Sequence, residues 1–163
     1  MKKIVPVVVI AICCFSCMKN ATEIDASSYY IKAALNGSEE TFSDNAAATD
    51  FSGDFTADFI MTAKNNMNND AMTLVIEHAF DTTVTKGTYQ PDPNNNYFNP
   101  GGDYIKSDTI FFGSGIGNSK IKITISNLTQ LTVSGTFSGV FKNTNNNNDS
   151  ISVTNGEFNL PVH

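Results

Sequence analysis

The residue types that could do acid–base or nucleophilic chemistry are few and scattered in this chain of 163 residues. Histidine is the commonest general base near neutral pH, and the sequence has only two, His78 and His163. His78 stands in a run of alternating apolar and polar residues, which is typical of a strand, and His163 is the last residue. We therefore predict a packed or surface role for His78 and no enzymatic activity.

Acidic residues offer a second kind of chemistry. Glycoside hydrolysis needs two carboxyl groups about 5 to 9 Å apart across a cleft. Asp50, Asp54 and Asp58 are clustered in sequence, but Asp54 and Asp58 share a strand parity. Acidic side chains in that pattern keep an exposed face soluble. A calcium-dependent hydrolase is therefore only the third functional alternative.

Calcium binding is the more specific possibility for the acidic residues. The ion takes hard oxygen ligands from Asp, Asn and backbone carbonyls on loops. Asp92 and Asp103 flank one predicted loop that is rich in asparagine, proline and glycine. The spacing matches no EF-hand, and the same residue types form ordinary turns. A calcium site at Asp92 and Asp103 and a metal-free loop both remain open, and we expect no other cofactor.

The same loop, residues 90–103, carries two adjacent aromatic residues, Tyr97 and Phe98, and is bordered by Tyr89 and Tyr104. Aromatic side chains on a loop can stack on a sugar or anchor a protein partner, and they can equally fold back to close the end of the domain. These four residues are the best candidates for ligand binding.

The N-terminal segment predicts export. A short positive segment precedes an apolar run at residues 4–15, which has the length of a signal-peptide core and is too short to span a bilayer. The run ends in CFSC, which resembles the lipobox of bacterial lipoproteins. We predict a lipoprotein signal peptide over residues 1–16 and lipidation of Cys17. The alternatives are a secretory peptide cleaved near Ser16 and an uncleaved anchor.

Composition limits the classes of partner. The chain contains no arginine and has a formal net charge of -6. Nucleic-acid binding depends on neutralising phosphates, so we expect none here. An acidic chain also gains nothing from anionic lipid, so membrane attachment depends on the acyl chains. The predicted location is the cell envelope, with the outer membrane favoured.

Period-two alternation dominates the rest of the chain. Residues 17–28 are polar and predict a flexible tether, and residues 29–163 predict one all-β domain. Strand patterns occupy residues 29–35, 39–42, 55–63, 72–80, 104–112, 120–126, 131–142, 150–154 and 157–160. Asn36-Gly37 predicts a tight hairpin, and Asn155-Gly156 a turn or a bulge. We predict an antiparallel β-sandwich, with a closed antiparallel β-barrel as the alternative.

Glycines interrupt one predicted strand in a regular way. Gly135 and Gly139 share a parity with Leu131, Val133 and the phenylalanines of residues 131–142. A glycine on the apolar side of a strand allows a bend or a close approach of another backbone.

Several phrases of strand and turn resemble one protein family. Residues 31–40, 87–89, 120–128, 133–139 and 153–158 together are similar to a family of small Bacteroidota lipoproteins. In that family a lipid-signal peptide precedes a single β-rich domain of unknown function that ends in an "sGTF … vTnGeFn" pattern. The resemblance covers nearly the whole mature domain. The resemblance implies a lipid-anchored location and a β-rich fold, and it implies no particular chemical activity.

Three tripeptides, beginning at Asp81, Asp108 and Asp149, resemble the Bacteroidota O-glycosylation sequon. The candidate acceptors are Thr82, Thr109 and Ser150. Ser150 stands at the edge of a predicted loop, so we expect it to be the most accessible.

These observations favour a lipid-anchored, non-catalytic envelope protein that binds a glycan or a protein through the loops at one end of the β-domain. The alternative is a structural or assembly component of an envelope complex, in which edge strands or sheet faces pack on a neighbouring protein.

Overall fold

The computed structural model describes residues 28–52, 56–79, 81–92, 94, 97–107, 110–114, 120–143 and 146–163. The predicted signal peptide, Cys17, Asp54 and Thr109 lie outside these residues. Within the described ranges, no helix has the length and apolar character that crossing a membrane would require.

The described chain is all-β. Its strands are β1 (Tyr30–Leu35), β2 (Ser38–Phe42), β3 (Asp44–Ser52), β4 (Thr56–Asn65), β5 (Asp70–Ala79), β6 (Gly87–Tyr89), β7 (Phe98–Lys106), β8 (Ile110–Ser114), β9 (Lys122–Leu128), β10 (Thr132–Asn143) and β11 (Asn146–Pro161). All pairings between them are antiparallel, and one isolated parallel bridge joins Ala48 to Val162.

The strands form two antiparallel sheets. The first sheet has the order β2-β1-β11-β10-β9-β6, and the second has the order β8-β7-β5-β4-β3. The sheets are joined where the last residues of β10, Lys142 and Asn143, pair with β8, and by the bridge between Ala48 and Val162. In the described part of the chain neither sheet closes into a barrel. The arrangement is consistent with the predicted sandwich.

Local turn chemistry gave the hairpins correctly. Leu35 pairs with Ser38, so Asn36 and Gly37 form a two-residue turn with φ values of 50° and 86°. Both central residues of a type I′ turn need positive φ, which Asn and Gly tolerate. The segment between the predicted strands at 55–63 and 72–80 forms a second hairpin, with Asn65 paired to Asp70.

Alternation in the sequence becomes burial between the sheets. In β5, Met72, Leu74 and Ile76 are fully buried while the residues between them are half-buried. One hydrophobic cluster includes side chains of both sheets. The Phe42 ring of the first sheet packs edge-on against Tyr104 of the second, with ring centroids 6.1 Å apart. The two sheets therefore share a single core.

Three strand predictions need correction. β3 was not predicted, because its inward positions carry alanine where a large apolar residue would signal a strand. The predicted strand at 104–112 is broken by a turn at Ser107, whose φ is 50°, and β7 instead begins at Phe98. Leu131 was expected on the buried face but precedes β10 and is 66% exposed.

Asn155-Gly156 forms a bulge, one of the two predicted outcomes. β11 continues through both residues, with Asn155 at a φ of 51°. The pairing with β10 shifts register between Phe137 and Gly139. An extra residue of this kind bends a strand and increases its twist.

Candidate functional site

Three segments meet at one end of the second sheet. β5 ends at Ala79, β7 begins at Phe98, and β6 lies between them in sequence. The backbone N–H of Ala79 donates to the carbonyl of Tyr97 at 3.1 Å, which fixes the start of β7 beside the end of β5. Tyr97 and Phe98 are therefore held in place by pairing with the end of β5.

A cleft of about 360 Å³ opens at this end, and we call it the β6 cleft. It is lined by Thr85, Lys86, Gly87, Thr88, Tyr89, Gln90, Asp92 and Phe98. Its volume lies within the range of ligand-binding pockets, which is roughly 300 to 1,000 Å³. The sequence predicted three of its residues as site residues, namely Tyr89, Asp92 and Phe98.

The floor of the β6 cleft is aromatic. Tyr89 and Phe98 meet edge to face with ring centroids 5.2 Å apart, and Phe98 lies 6.2 Å from the imidazole of His78. The Tyr89 hydroxyl accepts from the Thr85 N–H at 2.8 Å and donates to the Thr85 carbonyl at 2.7 Å. That hydroxyl holds the preceding loop, so Tyr89 offers its ring to the cleft.

The two adjacent aromatic residues have different positions. Phe98 is half-buried and packs against the core, so it closes the end of the domain. Tyr97 is 61% exposed and does not line the β6 cleft. Of the two predicted roles, end closure therefore fits Phe98, and an accessible position fits Tyr97.

Tyr104 lies apart from the other three aromatic residues. It is six positions beyond Phe98 on the same strand, or about 20 Å along it. The side chain is buried, and its hydroxyl donates to Oδ2 of Asp70 at 2.8 Å. Tyr104 is thus a core residue and does not widen the cleft.

The two predicted calcium ligands are not brought together. Oδ1 of Asp92 accepts from the N–H of Asn94 at 2.8 Å, an Asx turn at the cleft. Asp103 lies five positions beyond Phe98 along β7, paired with Thr73 and with Gly113. Among the residues with described positions, no group of three or more His, Cys, Asp or Glu side chains is placed to hold a metal ion.

Asp103→Asn is expected to stabilise the protein slightly at neutral pH. Partial burial raises the pKa of Asp103, so folding favours its protonated form. Its ionised form therefore costs stability once the pH rises through the folded pKa. Solvent screening keeps the gain at pH 7 to about a few tenths of a kcal/mol. Urea denaturation of both proteins at pH 7 and pH 3 measures the difference, which should vanish at pH 3; a gain of equal size at both values would contradict the assignment.

His78 is a packed strand residue, as predicted, and only 4% exposed. Nδ1 lies 3.2 Å from the Ala79 carbonyl oxygen and 3.3 Å from Oγ1 of Thr82. Nε2 lies 3.6 Å from Oδ1 of Asp50. The imidazole thus sits behind Phe98 and does not line the cleft. His163 is exposed, and its N–H donates to the Ala48 carbonyl at 3.0 Å.

The candidate glycosylation residues differ in accessibility. Thr82 is half-buried, and Oγ1 donates to the Ala79 carbonyl at 2.6 Å. Ser150 is exposed on β11, beside Asp149, which accepts from the Asn143 side-chain amide at 3.1 Å. Ser150 is the more accessible of the two, and its modification remains a prediction.

Four polar residues of the β6 cleft were not predicted as site residues. Lys86, Thr88 and Gln90 alternate around Gly87 and Tyr89, and Thr85 precedes them. The alternation of polar residues around Tyr89 indicates a strand. The strand was missed because it has only three residues, fewer than the usual minimum for a strand prediction.

Comparison of the chain with protein-family models, curated proteins and solved structures gave no match. The β6 cleft and the sequence features are accordingly the basis for inferring function.

Proposed function

We propose that this protein is a lipid-anchored, non-catalytic protein of the cell envelope that captures a glycan or protein partner in the β6 cleft. The cleft stands at one end of an antiparallel β-sandwich, and residues 1–16 precede the domain as a lipoprotein signal peptide. The observation that supports the proposal is a cleft with two aromatic side chains, Tyr89 and Phe98, at its base and polar side chains at its rim. The proposal includes membership of the Bacteroidota lipoprotein family and an outer-membrane location.

The chemistry of the rim supports binding of a polar ligand with little net charge. Lys86, Thr88, Gln90 and Asp92 supply an ammonium, a hydroxyl, an amide and a carboxylate. One positive and one negative group balance each other, so the cleft has no strong preference for an ionic ligand. A few polar groups around an apolar floor are the usual composition of a recognition site.

Lipidation has a direct test in living cells. We expect Cys17→Ser to abolish incorporation of labelled palmitate, because it removes the sulfur that would carry the lipid. Cys13→Ser lies inside the predicted signal peptide but outside the CFSC motif, and it serves as the matched control that keeps the label. Label on the Cys17→Ser chain would overturn the anchor.

Substitution of the two adjacent aromatic residues should affect stability to different extents. Tyr97→Ala is expected to change the free energy of unfolding by less than about 0.5 kcal/mol, because the side chain is 61% exposed. Phe98→Ala should cost about 2 kcal/mol, since it opens a gap beside Tyr89 at the end of the core. Chemical denaturation of the two variants checks this, and equal losses would contradict the described orientations.

Ligand capture tests the site itself. The full chain, solubilised in mild detergent, is applied to arrays of oligosaccharides and peptides, and each captured ligand is titrated against variants. Asp92→Asn should weaken binding by about tenfold, the loss expected for a hydrogen bond to a charged group. Asp149→Asn, an exposed acid outside the cleft, is the control. Ligands that ignore Asp92→Asn and Phe98→Ala alike would refute a site in the cleft.

One observation favours the assembly alternative. β3 ends the strand order of the second sheet, and its Phe51 side chain is 63% exposed. An exposed aromatic residue on an edge strand suits a contact with a neighbouring protein. Under this alternative, Phe51→Ser would abolish co-purification with an envelope complex after mild extraction, and recovery of no partner by the unaltered chain would count against it.

A further inference from the structure

The lining of the β6 cleft includes all three residues of β6, which are of both parities. Gly87 and Tyr89 have one parity and Thr88 has the other, and all three line the same cleft. Successive side chains of a strand point to opposite faces of a sheet. Tyr89 is buried in the core, whereas Oγ1 of the exposed Thr88 lies 3.0 Å from Oγ1 of Thr124. Residues from opposite faces can share a cleft only if it runs along the edge of the strand.

That edge is an outer edge of the first sheet. Among the described strands β6 pairs with β9 alone, through Gly87, Thr88 and Tyr89. A strand paired on one side directs alternate backbone N–H and C=O groups toward the other side. Phe98 of the second sheet supplies an apolar contact at the same place. The cleft thus combines backbone hydrogen-bonding groups with one aromatic surface.

We propose that the β6 cleft binds an extended peptide segment, which adds to β6 as a further antiparallel strand. The inference rests on the proposed function and names its ligand class. An added strand would lie about 4.8 Å from β6 and hydrogen-bond to its backbone, while one apolar side chain of the segment packs on Phe98. The Tyr89 hydroxyl, which a sugar would use, is already committed to Thr85. The observations therefore favour a peptide over a glycan.

Gly87 gives the proposal a selective variant. A Cβ built at Gly87 meets no heavy atom within 4 Å, and its φ is not in the left-handed region. Valine at this position is therefore compatible with the free protein and has a higher strand propensity than glycine. Its side chain would lie on the same face of β6 as Tyr89 and would occupy the space beside Phe98 that the apolar side chain of an added strand needs. Gly87→Val should leave the melting temperature unchanged or raised.

The probe is a peptide with the sequence KIKITISN, residues 120–127 of this chain, which includes the segment that pairs with β6 on its other side. Binding to the full chain in mild detergent is followed by NMR. We expect the peptide to shift the amide signals of residues 86–90 and of Phe98. The affinity obtained from these shifts should fall on the order of tenfold with Gly87→Val, or with a peptide N-methylated at its four central residues.

The outcomes separate the two proposals. Amide shifts at β6 for which the peptide affinity falls about tenfold with each of the two changes support strand addition. If the peptide shifts only other residues, or nothing at millimolar concentration, while soluble oligosaccharides shift the cleft, strand addition is refuted and the proposed function stands. If neither the peptide nor the oligosaccharides shift the amide signals of the cleft, both proposals are refuted. Retention of binding by a folded Gly87→Val protein also refutes strand addition.

Discussion

Asp70→Ala is expected to lower the free energy of unfolding by about 3 kcal/mol, because it removes an acceptor that serves the buried Tyr104 hydroxyl and the partly buried N–H of Ser107. The Asp70 carboxylate is almost fully buried at the start of β5. Oδ2 accepts from the Tyr104 hydroxyl at 2.8 Å, and Oδ1 accepts from the Ser107 N–H at 2.9 Å. The carboxylate therefore connects the turn after β7 to the β4–β5 hairpin, and its loss removes this acceptor from the buried Tyr104 hydroxyl.

Urea denaturation of Asp70→Ala, Tyr104→Phe and the double variant separates the contributions. The double variant should lose less than the sum of the single losses, because the two side chains share one hydrogen bond. Asp149→Ala, an exposed acid, serves as the control and should change stability by less than about 0.5 kcal/mol. Additive losses would show that the hydrogen bond contributes nothing.

The same pair makes stability depend on alkaline pH. Burial first, and then the hydrogen bond to Asp70, raise the pKa of Tyr104 well above its ordinary value of 10.0. A raised pKa means that folding favours the neutral phenol. The stability that Tyr104 contributes is therefore fully present below pH 10 and is lost as the pH rises through the folded pKa. Tyr104→Phe should reduce the loss of stability above pH 10.

Gly135→Ala is expected to have the second large effect, a decrease of about 3 kcal/mol in the free energy of unfolding. A Cβ at Gly135 would collide with the Thr124 carbonyl oxygen of β9 and would come within 2.7 Å of the Phe158 ring. Backbone atoms of a paired strand cannot move aside without breaking the ladder. The close approach confirms the role predicted for Gly135 from its parity in β10.

Gly87→Ala is the matched control for Gly135→Ala. Both glycines lie in strands of the first sheet, but the position of a Cβ at Gly87 is open. Alanine there should be neutral or stabilising by up to about 1 kcal/mol through a less flexible unfolded chain. Thermal unfolding of the two variants gives the comparison, and similar losses at both positions would contradict a packing origin.

Local chemistry predicted the hairpins and the buried faces well. Asn36-Gly37 has the residues that a two-residue turn requires, and the alternation of β5 matches its burial position by position. β3 was missed because alanine gives a weak signal in an alternating pattern, although Ala48 is fully buried. The strand becomes evident only from its pairing with β4.

The candidate site was predictable only in part, because its geometry depends on distant pairing. Pro100, Gly101 and Gly102 have turn-forming residue types, yet they lie within β7. Gly102 is required there because a Cβ would strike the Thr73 carbonyl of β5. This one misassignment placed Tyr104 beside the loop. The cleft itself depends on β6 pairing with β9, thirty-six positions away at Thr88 and Thr124.

β10 belongs to both sheets, and this sets how the molecule opens. Its early residues pair with β9, its last residues pair with β8, and β11 follows it along nearly its whole length. Separation of β10 breaks the ladder with β8 that connects the two sheets, so opening of either sheet at this strand also disrupts the other. Amide hydrogens of β10 and β11 should exchange most slowly, at the rate set by global unfolding, while those of β6 exchange through local fluctuations.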